Sequence, residues 1–233
     1  MEKCLLSIDW DYFVYTRNNW GSYIENNRSL IDSWYKRFIQ ARARGEDIRE
    51  AFRLSPEADR FWTETGKFFA FTGNTLVYVS DSHALSYEIA KKYDCKAVYL
   101  FDAHADLGYG GLSSLNFEVN CSNWLGKLLE EGQVSEAYIF YSPYTTEKPD
   151  HFKAINSIYN VRYFRPDDLA GKNIVVSVVH ICRSGAWTPP WLDEKFCRFV
   201  DALGLPYEVV NCPERKWDPD HIKFSDVIDY LMA

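Results

Sequence analysis

Short apolar runs rich in β-branched and aromatic residues recur along the chain, at 4–8, 76–79, 97–101, 137–141, 161–164, 174–179 and 207–210. They are apolar on both faces, as strands buried inside a parallel sheet must be. Between them lie segments of helical period at 85–93, 124–131, 191–203 and 224–231. This alternation predicts an α/β protein, a three-layer α/β/α sandwich with a mostly parallel sheet. The stretch 29–69 breaks the pattern: Leu30, Ile31, Trp34, Tyr35, Phe38 and Ile39 follow a helical period. It shows no strand candidate, so it reads as a helical insert of two or three helices after the first strand. Ser55-Pro56-Glu57 has the form of a helix start within it.

A chain of 233 residues buries roughly three quarters of its unfolded surface, enough for one core and tight for two. Residues 1–233 are therefore expected to form a single domain. The net charge is −7. The basic stretch Arg42, Arg44, Arg49, Arg53 is interleaved with Glu46, Asp47 and Glu50, so it reads as a solvated helix face, and no nucleic-acid partner is expected. Asp9 arrives before any signal-peptide core, and no apolar run approaches the ~18 residues a bilayer requires. A cytoplasmic protein without a membrane partner is expected, and nothing in the sequence sets its oligomeric state. Six cysteines without a C-x-x-C pair suit a reduced state, most of them in the core.

In open parallel sheets, ligands gather beyond the carboxyl ends of the strands. Here those ends are acidic and rich in histidine: Asp9-Trp10-Asp11, Asp81-Ser82-His83, Asp102-Ala103-His104-Ala105-Asp106 and His180-Ile181-Cys182. Three of the five histidines fall there. Carboxylates ~4 Å apart repel by up to ~4 kcal/mol at an effective dielectric near 20, and a cation relieves that repulsion. Asp81 is expected to cap the following helix, and Cys182 to be a small buried hydrophobe.

The segment Tyr99-Leu100-Phe101-Asp102-Ala103-His104-Ala105-Asp106 resembles the D-A-H-x-D metal motif of arginases and agmatinases, in the arginase/deacetylase superfamily. His83-Ala84-Leu85-Ser86 resembles the H-S-L-S end of that superfamily's glycine-rich segment, and also the deacetylase form in which a histidine before an alanine acts as general base. His180-Ile181-Cys182, trailed by Thr188-Pro189-Pro190, stands where the superfamily has its D-x-D. The resemblance covers about residues 75–195; Asn120 through Leu129 and the opening Ser7-Ile8-Asp9-Trp10-Asp11 look closer to an uncharacterised arginase-like branch.

The resemblance implies a metal-dependent hydrolase of a carbon–nitrogen bond, amide or guanidine, in a small-molecule substrate, with metal-activated water as nucleophile. With His180 and Cys182 in place of two aspartates, one divalent ion is expected, zinc or manganese, on Asp102, His104 and His180, with Asp106 as a further ligand or as the group orienting a ligating histidine. The imidazole at 180 favours zinc. His83 would take the proton. Asp9 and Asp11 would hold a substrate amine or replace the missing carboxylates. Two other readings compete: a catalytically degenerate arginase-like binding protein, and a HAD-like phosphatase with Asp9 as nucleophile in the D-x-D of Asp9 and Asp11.

Overall fold

The computed structural model describes residues 3–16 and 30–232. Seven strands form one sheet: β1 (Cys4–Asp9), β2 (Leu76–Ser80), β3 (Ala97–Asp102), β4 (Glu136–Tyr141), β5 (Val161–Tyr163), β6 (Val178–Cys182) and β7 (Glu208–Val210). Their order is β7-β2-β6-β1-β3-β4-β5, and every pairing is parallel. The longer helices are α1 (Leu30–Ala43), α2 (Leu85–Lys92), α3 (Trp124–Glu130), α4 (Asp193–Asp201) and α5 (Phe224–Met232). This is the expected three-layer α/β/α sandwich.

Side chains two apart on a strand share a face, and the two faces of this sheet feed two separate cores. On one, Leu6, Ile8, Val79, Phe101, Phe140 and Ile181 meet Phe196, Phe199 and Val200 of α4. On the other, Leu5, Val98, Leu100 and Ile139 meet Ile89 and Ala90 of α2 and Trp124, Leu125 and Leu128 of α3. The polar positions Ser7 and His180 are paired across β1 and β6; their partners are met at the site.

The stretch after β1 differs from the helical insert expected over 29–69, whose first residue lies outside the described ones. It contains α1 and short helical turns, but also the strand Phe52–Leu54, antiparallel to Val14–Thr16, and the two-residue strand Phe69–Ala70, parallel to Ile174–Val175. The Ser55 hydroxyl accepts from Glu57 N–H at 3.2 Å, capping the turn Pro56–Arg60 as the sequence predicts. Nor is the stretch an appendage, because Ala58, Phe61, Phe68 and Phe69 line the first core. The expected strand at 174–179 is two strands, separated at Val176-Ser177, where Ser177 turns its hydroxyl and carbonyl to Cys4 and Leu76.

Helix α1 grips the loop after β6: Trp34 Nε1 donates to Gly185 O at 2.7 Å and Arg37 to Ala186 O at 2.9 Å. Among the described residues no helix is long and apolar enough to cross a membrane.

Candidate metal centre

The strand order places β1 between β6 and β3, so the chain segments leaving β1, β2 and β3 converge at one edge. Asp9 ends β1, and its Oδ1 accepts from Asp11 N–H at 2.9 Å, which turns the chain and brings Asp11 back to the same side. Asp11 then accepts from Ala103 N–H at 3.2 Å, tying this turn to the loop after β3. Asp102 closes β3, and its Oδ1 accepts from His104 N–H at 2.8 Å. Asp106 adopts a left-handed backbone (φ 52°), a conformation a non-glycine residue keeps only where its surroundings enforce it. Here they do so twice: Leu125 and Gly126 N–H donate to its carbonyl, and Trp124 Nε1 donates to its Oδ2 at 2.6 Å.

His83 lies at the centre, 1% exposed. Its Nδ1 is 2.9 Å from Asp106 Oδ2, 3.0 Å from Asp102 Oδ2 and 3.2 Å from Asp9 Oδ2. None of these oxygens lies where a ring N–H would meet it in hydrogen-bonding geometry, and Asp102 Oδ2 is likewise without a hydrogen-bond partner. One nitrogen surrounded by three carboxylate oxygens satisfies no hydrogen-bonding scheme, since a single N–H serves one acceptor well. The spacing has another meaning. Ligands 2.0–2.2 Å from a common ion stand ~3.0–3.4 Å from each other. The ligand atoms of Asp9, His83 and Asp102 all lie within 4.8 Å of one another, and so do those of Asp11, Asp102 and His104. Asp102 belongs to both groups: Oδ2 faces His83, while Oδ1 lies 3.4 Å from His104 Nδ1, which is also 3.1 Å from Asp11 Oδ2. These buried Asp/His groups can hold a metal ion.

The electrostatics agree. Burial, then repulsion from Asp106, Asp11 and Asp9, holds the Asp102 carboxyl well above its usual range. Burial and the charge of Asp11 push Asp9 up to about 6. Burial would also raise Asp11, but the adjoining His104 outweighs it and the net direction is down. For His83 burial favours the neutral ring, yet Asp102, Asp106 and Asp9 draw its pKa well above the ordinary value. Burial opposes charge on His104 as well, but Asp11 and Asp102 draw it well above its ordinary value, so the cluster favours positive charge at both rings.

His180 departs from its expected place as a ligand. It is fully buried, Nδ1 meets Ser86 Oγ at 2.6 Å and Nε2 meets Ser80 Oγ at 2.8 Å, so neither nitrogen faces a carboxylate. His83 is equally displaced from the role of general base, because its other nitrogen is taken by Ser7 Oγ at 2.7 Å. Asp9 and Asp11 stand among the carboxylates of the cluster. Asp81 neither caps a helix nor meets the cluster: it pairs bidentately with buried Arg183, at 2.8 and 2.9 Å, and accepts from Gly185 N–H. Cys182 is buried, with Ser184 Oγ 3.4 Å from its sulfur. Ser184, with φ 50°, donates to Asp9 Oδ2; no motif in the sequence points to it. The open side belongs to His104, 38% exposed at its side chain, whose ring faces Trp187 at 6.5 Å.

No family model matches the chain, nor does any curated protein or solved structure.

Proposed function

We propose that the protein is a divalent-metal-dependent hydrolase that cleaves an amide- or guanidine-type carbon–nitrogen bond in a small molecule, on a site of arginase/deacetylase type. The observation that carries this reading is the His83 Nδ1 facing three carboxylate oxygens at 2.9–3.2 Å without a hydrogen bond. Asp9, Asp102, Asp106 and His83 would hold one ion. Asp11, Asp102 and His104 would hold a second, with Asp102 shared between them. This replaces the single ion expected from the sequence. With His180 outside the cluster, the argument for zinc loses its imidazole, and the carboxylate-rich set moves the balance toward manganese.

Such an ion, when bound, polarises a carbonyl or guanidinium carbon and lowers the pKa of a coordinated water toward ~7. The chain's own residues do the rest. Trp124 and Ser184 orient Asp106 and Asp9 by donating to them, which keeps the carboxylates aimed inward. His104 and Trp187, their rings 6.5 Å apart and inclined by 58°, border the accessible side. A phosphatase using Asp9 as nucleophile is disfavoured, because Asp9 is 3% exposed and both its oxygens are engaged.

The test is elemental analysis of protein purified without chelator or affinity metal, on wild type and Asp102→Asn. Near-stoichiometric manganese or zinc in the wild type, lost in the variant, is expected, followed by turnover in a screen of amides and guanidines. Failure to take up metal even after it is added back overturns the reading; metal without turnover leaves a binding protein on the same site.

A further inference from the structure

Behind His83 runs a chain of hydrogen bonds that the proposed reaction does not use. His83 Nε2 meets Ser7 Oγ at 2.7 Å, Ser7 meets Ser86 Oγ at 2.7 Å, and Ser86 meets His180 Nδ1 at 2.6 Å. His180 Nε2 meets Ser80 Oγ at 2.8 Å, and Ser80 donates to the carbonyl of Ser82 at 2.8 Å. Ser7, Ser80, Ser86 and both rings are at most 2% exposed. Four elements contribute, β1, β2, β6 and α2, together with the loop between β2 and α2 that carries Ser82 and His83.

The direction of this chain follows from its last link. A carbonyl only accepts, and a serine has one proton to give. Ser80 spends its proton on Ser82 O, so it must accept from His180 Nε2–H. A neutral His180 then offers a bare Nδ1, which accepts from Ser86. Ser86 in turn accepts from Ser7, and Ser7 accepts from His83 Nε2–H. His180 is fully buried and both its nitrogens meet only hydroxyls, with no carboxylate beside them; burial keeps it well below its ordinary pKa, so the neutral ring is the relevant one.

We infer that His180 and Ser86 are positioning residues: acting through Ser7, they hold the proton of His83 on Nε2, so that the Nδ1 lone pair faces Asp9, Asp102 and Asp106. The inference rests on the proposed metal reading and gives it a structural cause, because a histidine ligates through a nitrogen that carries no proton and the partner of its other nitrogen sets which one that is. If the chain ran the other way, Ser7 would donate to Nε2 and a proton would sit on Nδ1, where the ion belongs. His180, placed by the sequence in the ligand set, therefore serves the ion from three hydrogen bonds away.

The experiment measures zinc affinity, by competition with a chromogenic chelator, for wild type, His180→Leu, His180→Gln and Ser86→Ala, with the unfolding temperature of each metal-free protein as control. Leucine at 180 removes both links, whereas glutamine keeps an acceptor and a donor and so keeps the direction. His180→Leu and Ser86→Ala are expected to weaken zinc at the His83 position ten- to a hundredfold, the usual effect of losing a partner behind a metal-bound histidine, and His180→Gln to restore it to within about threefold. Cadmium-113 bound to nitrogen-15-labelled wild type should couple to Nδ1 of His83. Unchanged zinc affinity in His180→Leu, or glutamine as weak as leucine, overturns the inference, as does cadmium coupling to His83 Nε2 or to His180. Should His180→Leu not fold, Ser86→Ala decides alone. Wild type that binds no zinc, manganese or cadmium sinks the metal reading and this inference together, whereas tight wild-type binding with indifferent variants sinks this inference only.

Discussion

Replacing Asp9 by asparagine should stabilise the metal-free protein and destabilise the metal-loaded one relative to wild type. Asp9 ionises near 3.8 in its ordinary state and at about 6 in the fold. A folded-state pKa above the unfolded value means that the native state holds the proton more tightly. Stability is thus highest below pH ~4 and is lost as pH rises through about 6. The difference amounts to ~3 kcal/mol once both states are ionised. The neutral amide carries no such penalty, but it weakens the contacts with Ser184 and His83, worth about 1 kcal/mol. The net gain at pH 8 is about 2 kcal/mol, or ~4–8 °C for a chain of this length. At pH 4 the gain should vanish. Urea unfolding with a chelator present, from pH 4 to 8, measures it. Excess manganese should then reverse the order: at a thousand times its Kd an ion adds ~4 kcal/mol to wild type, and much less to a variant lacking one ligand oxygen. An asparagine variant less stable than wild type in chelator at pH 8, or one stabilised equally by metal, would refute the account of a carboxylate cluster crowded for the sake of a cation.

Other perturbations separate parts of the site. His104→Ala should lower the metal content from two ions to one while leaving the fold nearly intact, because that ring is 38% exposed and belongs only to the group of Asp11, Asp102 and His104; loss of neither ion contradicts ligation by His104, and loss of both contradicts a His83 position that holds its ion independently. Gly185→Ala puts a methyl 2.5 Å from Asp81 Oδ1, against the buried pair with Arg183, and should cost about 2–3 kcal/mol and ~5–10 °C in thermal unfolding; an unchanged melting curve would show that the pair yields freely. Trp124→Phe keeps an aromatic ring, though a smaller one, and removes the donor to Asp106 Oδ2; about a tenfold loss of metal affinity at the His83 position is expected by titration.

The main sheet was legible because its strands are buried on both faces and read as unbroken apolar runs. The strand at 52–54 was not, since Phe52-Arg53-Leu54 alternates for only three residues and its partner, Val14–Thr16, lies far off in sequence. At the site, Asp9, Asp11, His83, Asp102, His104 and Asp106 were all found by looking where strands end. That rule failed at His180 because the residue lies inside β6 rather than beyond it, and a histidine at mid-strand meets whatever the neighbouring strands and covering helix present. The signal was there in another form: Ser7, Ser80 and Ser86 interrupt apolar segments, and buried hydroxyls need partners. What no local pattern carried was long-range pairing, as in Ser184 with Asp9 and Arg183 with Asp81.

The position of β1 has a consequence for the order in which the protein can take shape. Its neighbours are β3 and β6, and β6 emerges from the ribosome long after β1 and β3. Until residues 178–182 arrive, β1 has one open edge, with Leu6 and Ile8 beside it and Asp9 at its tip. Open strand edges recruit other chains, and distant pairings are slow to form. A nascent chain stalled before β6 would already carry all four carboxylates of the site, with Asp9 at the end of an exposed, adhesive edge. An ion captured early by Asp9, His83 and Asp102 would pin β1 to its correct neighbour during that interval, so metal supply would govern the yield of folded protein as well as its chemistry.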